Sequence, residues 1–259
     1  MIKFEDVTKV FRGPDGQDVV AVDGLSLSVA DGETLSLIGT SGCGKTTTMK
    51  MVNRLVAPTR GTIRVGGRDV ADEDPIRLRR SIGYVIQSGG LFPHMTVARN
   101  VGLLCRLEGQ DRATERARTR ELLELVNLDP GVYSDRYPRE LSGGQRQRVG
   151  VARALALDPP YVLMDEPFGA LDPITRDQVR DEFALLQERV GKTIILVTHD
   201  MSEAFRLANR IALMDAGQIV QLGTEEDFRR RPATPFVEAF LRSHLREAGA
   251  GETGGDTDG

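Results

Sequence analysis

The sequence predicts an α/β fold with a mainly parallel core sheet, and three observations carry that prediction. Short apolar-rich runs at residues 34–38, 82–86, 161–164, 193–197 and 211–214 read as buried strands. Stretches of helical spacing, 145–157, 174–189 and 201–208, lie between them, the alternation expected where helices cross over between parallel strands. The first of these strands also runs straight into a glycine-rich loop and then a helix.

In chain order, residues 2–10 and 19–29 alternate polar and apolar side chains around a turn-like Gly13-Pro14-Asp15-Gly16. That pattern predicts an N-terminal antiparallel β subdomain beside the main sheet, and residues 62–65, followed by Gly66 and Gly67, continue its β character. The strand 34–38 leads into a helix over 46–56, with Met49, Val52, Leu55 and Val56 on one side and Pro58 ending it. From about residue 89 to 137 the strand signals stop. Helical spacing over 97–108 and 114–125, the latter with Leu122, Leu123, Leu125 and Val126 as its apolar set, predicts a helical subdomain inserted at about 89–157. The folded domain is expected to span 1–245. Residues 246–259 are rich in glycine and acid, and are expected to form an unstructured tail.

Composition bounds the function. A chain of 259 residues with 40% hydrophobic side chains buries a core without metal or disulfide staples, and its two cysteines, Cys43 and Cys105, suggest no secreted framework. A net charge of −4 argues against a general nucleic-acid binder. Glu5 and Asp6 stand where a signal peptide needs apolar residues, and no apolar run reaches the roughly 18 residues of a membrane span. A cytoplasmic protein is expected.

Three segments carry chemistry. Gly39-Thr40-Ser41-Gly42-Cys43-Gly44-Lys45-Thr46, followed by Thr47, is a P-loop pattern, for which this composition predicts roughly 0.006 chance matches. Its glycines let backbone N–H groups turn toward a polyphosphate at the positive end of a helix dipole. Lys45 would reach the β- and γ-phosphates, and the Thr46 hydroxyl would ligate Mg²⁺. At the end of a buried strand stand Asp165, suited to a Mg²⁺ shell, and Glu166, suited to activating an attacking water. Leu141-Ser142-Gly143-Gly144-Gln145 precedes a helix expected to begin near Gln145, and reads either as a second anion site or as a helix cap with a flexible lead-in. One chain has little use for two γ-phosphate sites; two copies arranged head to tail can each lend this segment to the other's P-loop.

The order of these segments, with His199 after them, resembles the ATP-binding-cassette ATPases over about residues 1–245. The resemblance implies a homodimer that sandwiches two ATP molecules, each between one P-loop and the partner's segment 142–145. It implies further that Gln87 senses Mg²⁺ and the transport partner, and that Ala170-Leu171-Asp172 crosses the dimer interface. His199 is then the γ-phosphate contact and Phe11 the ring against adenine. Read by themselves, His199 neighbours a helix cap that Thr198 and Asp200 can form, and Phe11 can serve packing alone.

One P-loop and one Ser-Gly-Gly segment make half of a nucleotide sandwich. Long heptad insertions, a second cassette and fused transmembrane helices are all absent from the sequence, which points to a detached subunit docking on a separate membrane permease. Segments 50–54, 82–87, 90–96, 137–142 and 164–176 are most similar to importers of quaternary-amine osmoprotectants, such as glycine betaine, carnitine and choline. That resemblance implies a peripheral position on the cytoplasmic face of the membrane and indirect service to a solute-binding protein. Another solute, such as a polyamine or an amino acid, and a soluble non-transport ATPase are the alternatives.

Overall fold

The computed structural model describes residues 1–13 and 16–249, so Pro14 and Asp15 of the expected turn and residues 250–259 of the expected tail lie outside it. The chain divides into two compact units, one of Met1–Asp69 with the chain from Leu196 onward, the other of Val70–Ile195.

The first unit opens with β1 (Ile2–Arg12), β2 (Asp18–Val29), β3 (Thr34–Gly39), α1 (Lys45–Val52), β4 (Arg60–Val65) and β5 (Arg68–Asp69). β1 pairs antiparallel with β2 and β4, which is the expected N-terminal subdomain. The Gly13 N–H donates to the Gln17 carbonyl at 2.7 Å, tying the two strands at their turn. Every residue of β3 is buried, as a strand covered on both faces requires. α1 stops at Val52, four residues before the expected end, because Asn53 caps it and Arg54 turns into the left-handed region at φ 54°.

The second unit contains α2 (Pro75–Arg80), β6 (Ile82–Val85), α3 (Val97–Val101), α4 (Leu103–Leu107), α5 (Arg112–Leu125), α6 (Pro130–Tyr133), α7 (Gly143–Ala154), β7 (Tyr161–Asp165), α8 (Pro173–Val190) and the start of β8 (Thr193–Val197). β6 and β7 pair in parallel, Tyr84 opposite Leu163. The run α3–α7 falls where an inserted helical subdomain is expected. Its first helix is broken in two at Gly102, where a Cβ would lie 2.7 Å from Glu115 Oε1 and 3.0 Å from Thr119 Oγ1. Close approach of α5, rather than helix continuity, wins at that position.

Back in the first unit, the chain adds α9 (Met201–Leu207), β9 (Arg210–Asp215), β10 (Gln218–Gly223), α10 (Glu225–Arg230) and α11 (Pro235–Gly249). β3 pairs in parallel with β9, and β10 adds antiparallel to β9. Ile38, Ile211 and Leu213 pack with Met201 of α9, Phe228 of α10, and Val237, Phe240 and Leu241 of α11. Each of those large α11 side chains contributes about 1.5–3 kcal/mol on burial. α11 therefore continues three residues past Arg246, into the segment expected to be unstructured. Thr193 N–H donates to Pro160 O at the start of β8, and Thr198 N–H to Leu37 O beyond its end. No helix among the described residues is long and apolar enough to cross a membrane.

Candidate active site

The loop from β3 to α1 is shaped by glycines that neighbours hem in. A Cβ on Gly39 would lie 2.1 Å from the Met214 carbonyl oxygen, and one on Gly44 2.3 Å from that of Ala21, so the loop is seated against β9 and β2. Gly44, at φ 103°, is the N-cap of α1 and offers no side chain to the helix end. No side-chain oxygen therefore caps the first turn of α1, and such a helix end suits an anion. Lys45 is only 7% exposed. Its Nζ donates to the Gly39 and Thr40 carbonyls at 2.8 and 2.9 Å and lies 3.8 Å from Cys43 Sγ, which fixes the ammonium inside the loop.

His199 reaches the same loop. Thr198 donates its hydroxyl to the buried Glu203 carboxylate and accepts the Asp200 N–H at 3.0 Å. Asp200 in turn caps α9 through the Ser202 and Glu203 N–H groups. The corner is thus pinned on both sides of an exposed imidazole. One groove of about 440 Å³ is lined by Gly39, Thr40, Ser41 and His199, with Phe236 and Phe240 of α11 as its other wall. The capping that the sequence assigns to Thr198 and Asp200 is present, and it leaves His199 facing the loop.

Phe11 lies near the end of β1 opposite Val19, 41% exposed, with Lys9 Nζ 4.8 Å from its ring centroid. The ring is therefore not core packing. It presents an open face that a planar heterocycle can stack on.

In the second unit, β7 delivers Asp165 and Glu166. Glu166 has φ 45°, a left-handed backbone uncommon for a non-glycine residue. Its Oε2 accepts from Gln87 Nε2 at 3.4 Å, and its carbonyl accepts the Gly169 N–H. Gln87 begins a 3₁₀ turn, Gln87–Gly90. The buried Asn100 ties down the loop beyond by accepting the Phe92 N–H at 2.8 Å and donating to the carbonyls of Phe92, Met95 and Thr96. Tyr84 stands beside the carboxylates, its phenol pushed up to about 12 by burial and then by Asp165.

The Ser142 segment is a capping box. Ser142 Oγ accepts the Gln145 N–H at 3.2 Å, and Gln145 Oε1 accepts the Ser142 N–H at 2.9 Å. α7 therefore starts at Gly143, two residues before the expected start. The Gly143 and Gly144 N–H groups then fall in its first turn, without intrahelical acceptors. Gly144 also admits α8: a Cβ there would lie 2.9 Å from Thr175 Cγ2 and 3.1 Å from Val179 Cγ2. Sequence reasoning missed Tyr133, whose hydroxyl accepts from Gln145 Nε2 at 3.0 Å; a tyrosine twelve residues upstream carries no local signal. Asp172 caps α8 through the Thr175 N–H, and the Thr175 hydroxyl and N–H hold its carboxyl below the ordinary range. Two residues on, Ile174 is 78% exposed, more than any other large apolar side chain described.

Comparison with known proteins gives these features kin. Residues 22–169 match the ABC transporter family. The chain is 54% identical over 241 residues to the glycine betaine/carnitine/choline transport ATP-binding protein OpuCA of Bacillus subtilis, covering 93% of this chain and 62% of that protein. It is 48% identical to the glycine betaine uptake system ATP-binding protein YehX of Escherichia coli, covering 95% of this chain and 78% of that one. The spermidine/putrescine import ATP-binding protein PotA of Thermobifida fusca is 44% identical, with 99% of this chain and 65% of that one covered. Among solved structures, the dimeric cassette MJ0796 bound to ADP and Pi superposes with a TM-score of 0.76 at 32% identity, over 86% of this chain and 98% of that one. The chain thus spans about 62% of the length of the OpuCA relative.

Proposed function

The chain belongs to the ABC transporter family, and from that premise we propose that it is the ATP-hydrolysing subunit of an importer for quaternary-amine osmoprotectants. It works as a homodimer on the cytoplasmic face of the membrane, driving a separate permease that a solute-binding protein supplies. The observation that carries this reading is the loop folded around Lys45, with glycines where no Cβ fits and an uncapped helix behind it.

In this reading Gly39–Thr47 wraps the triphosphate. Backbone N–H groups and the Lys45 ammonium neutralise the β- and γ-phosphates, and adenine stacks on Phe11. Mg²⁺ fits the donor set, because the Thr46 hydroxyl, the Gln87 amide oxygen and the Asp165 carboxylate are hard oxygens. No cluster of three or more His, Cys, Asp or Glu suited to a metal occurs among the described residues, which agrees with an ion that takes its other ligands from phosphate and water. When bound, the ion offsets phosphate charge. Glu166 accepts a proton from the water as its oxygen bonds to the γ-phosphorus and the bond to the bridging oxygen breaks. His199 donates to a γ-phosphate oxygen from its pinned corner.

A second copy completes the site with Ser142, Gly143, Gly144 and Gln145, whose first-turn N–H groups suit the far side of the γ-phosphate. The loop ending at Asp172 runs along that interface, and the outward-facing Ile174 supports a protein partner there. Osmoprotectant transport rests on the higher identity to OpuCA and YehX than to PotA. Glu166→Gln should keep ATP binding while turnover falls on the order of 10²–10⁴-fold; near-normal hydrolysis would refute the assignment. In vesicles carrying the permease and its binding protein, ATP should drive glycine betaine uptake, and spermidine uptake in its place would select the polyamine reading.

A further inference from the structure

Away from all of these residues, α3, α5 and the segment around α6 enclose a cleft of about 780 Å³ within the second unit. Arg99, Arg106, Arg112, Arg116 and Arg120 line it, against only two carboxylates, Glu115 and Asp135. Five positive side chains against two negative ones leave +3 in one cleft, on a chain whose net charge is −4. Glu115 is already taken, since Arg106 holds it through both Nε and Nη2. The guanidiniums of Arg99, Arg112, Arg116 and Arg120 enter no ion pair or hydrogen bond among the described residues, although arginines elsewhere commonly do: Arg118, Arg148, Arg180 and Arg210 are each paired with a carboxylate.

Three of the unpaired arginines stand four residues apart on α5, and so share one face at about 6 Å of rise per step. Like charges at that spacing weaken a helix, and of the two carboxylates lining the cleft Glu115 is held by Arg106, which leaves Asp135 alone against four unpaired guanidiniums. Guanidinium forks match phosphate oxygens in pairs, and a row of them matches successive phosphoryl groups. Arg99 faces the row from α3, so an anion in the cleft would bridge two helices. We propose that this cleft is a binding site for a ligand carrying two or more phosphoryl groups, separate from the P-loop. A soluble polyphosphate and the two-phosphate headgroup of cardiolipin present the same chemistry.

The test uses the full chain with the P-loop saturated with Mg-ADP and titrates inorganic triphosphate by calorimetry. A further site of one per chain is expected, at least about tenfold weaker when Arg112→Gln, Arg116→Gln and Arg120→Gln are combined, with ADP affinity unchanged. In parallel, sedimentation with cardiolipin vesicles, whose headgroup carries two phosphoryl groups, reads the headgroup source. Retention lost in the triple variant, without triphosphate binding, assigns the cleft to lipid, whereas triphosphate binding without retention assigns it to a soluble ligand. Neither kind of binding, or binding of either probe that survives the triple substitution, overturns the proposal. Failure of the chain to bind ADP would be seen separately and would count against the P-loop reading alone.

Discussion

Gly42 and Gly44 stand two residues apart in one loop, with φ of 79° and 103°, yet only one of them is hemmed in. A Cβ on Gly44 would sit 2.3 Å from the Ala21 carbonyl oxygen and 3.3 Å from Val22 Cγ2; one on Gly42 meets nothing within 4 Å. Gly42→Ala therefore costs only the left-handed backbone, about 1–2 kcal/mol. Gly44→Ala adds an overlap with strand backbone that no rotamer change relieves. Displacing β2 or the head of α1 costs a further 1–3 kcal/mol or so, giving about 2–5 kcal/mol in all. Urea unfolding reads the difference directly. With a slope of about 1–3 kcal/mol per molar, the Gly44→Ala midpoint should fall below that of Gly42→Ala by on the order of 1 M. Nucleotide affinity should fall further in Gly44→Ala, because the cap of α1 moves with it. Equal midpoints would refute the contact with β2 as the reason for glycine at position 44.

Two further predictions concern pH. The Tyr84 phenol ionises near 12, above its unfolded value of 10.0, so the stability it lends is intact below about pH 10 and is lost as pH rises toward 12. Tyr84→Phe should flatten the alkaline limb of the stability profile, and an unchanged limb would assign that loss to other groups. The Asp172 carboxyl is depressed by Thr175, so its contribution is full above the ordinary value of 3.8 and disappears as pH falls through the lower folded value. Thr175→Val should return it toward the ordinary value in a carboxyl ¹³C titration; no movement would mean the hydroxyl is not the cause.

The parts of this protein legible in its sequence are those where local pattern and tertiary role agree. β3 is buried throughout, with Leu35, Leu37 and Ile38 its large apolar residues, because both its faces are covered, and Gly39 at its end and Gly44 beyond it are required by carbonyls 2.1 and 2.3 Å from where a Cβ would be. Ser142 could be read as an anion site or as a cap, and it is in fact a cap; the cap is what leaves the Gly143 and Gly144 N–H groups in an open first turn. Other features depend on partners distant in sequence. The break at Gly102 is set by Glu115 and Thr119, and the support of Gln145 by Tyr133. The left-handed turn at Glu166 leaves no mark, because glutamate has no special preference for it. α11 runs on to Gly249 although glycines and acids follow residue 245, because Val237, Phe240 and Leu241, recurring at helical spacing after Pro235, anchor it to the core.

Whether one ATP is held between the P-loop of one copy and the Ser142 segment of another is read from mass. Light scattering of the Glu166→Gln protein should give one subunit's mass without nucleotide and twice that with ATP. Adding Ser142→Arg should abolish the doubling while ATP still binds. A dimer that forms equally well with arginine at position 142, or no doubling when ATP is bound to Glu166→Gln, would contradict that arrangement.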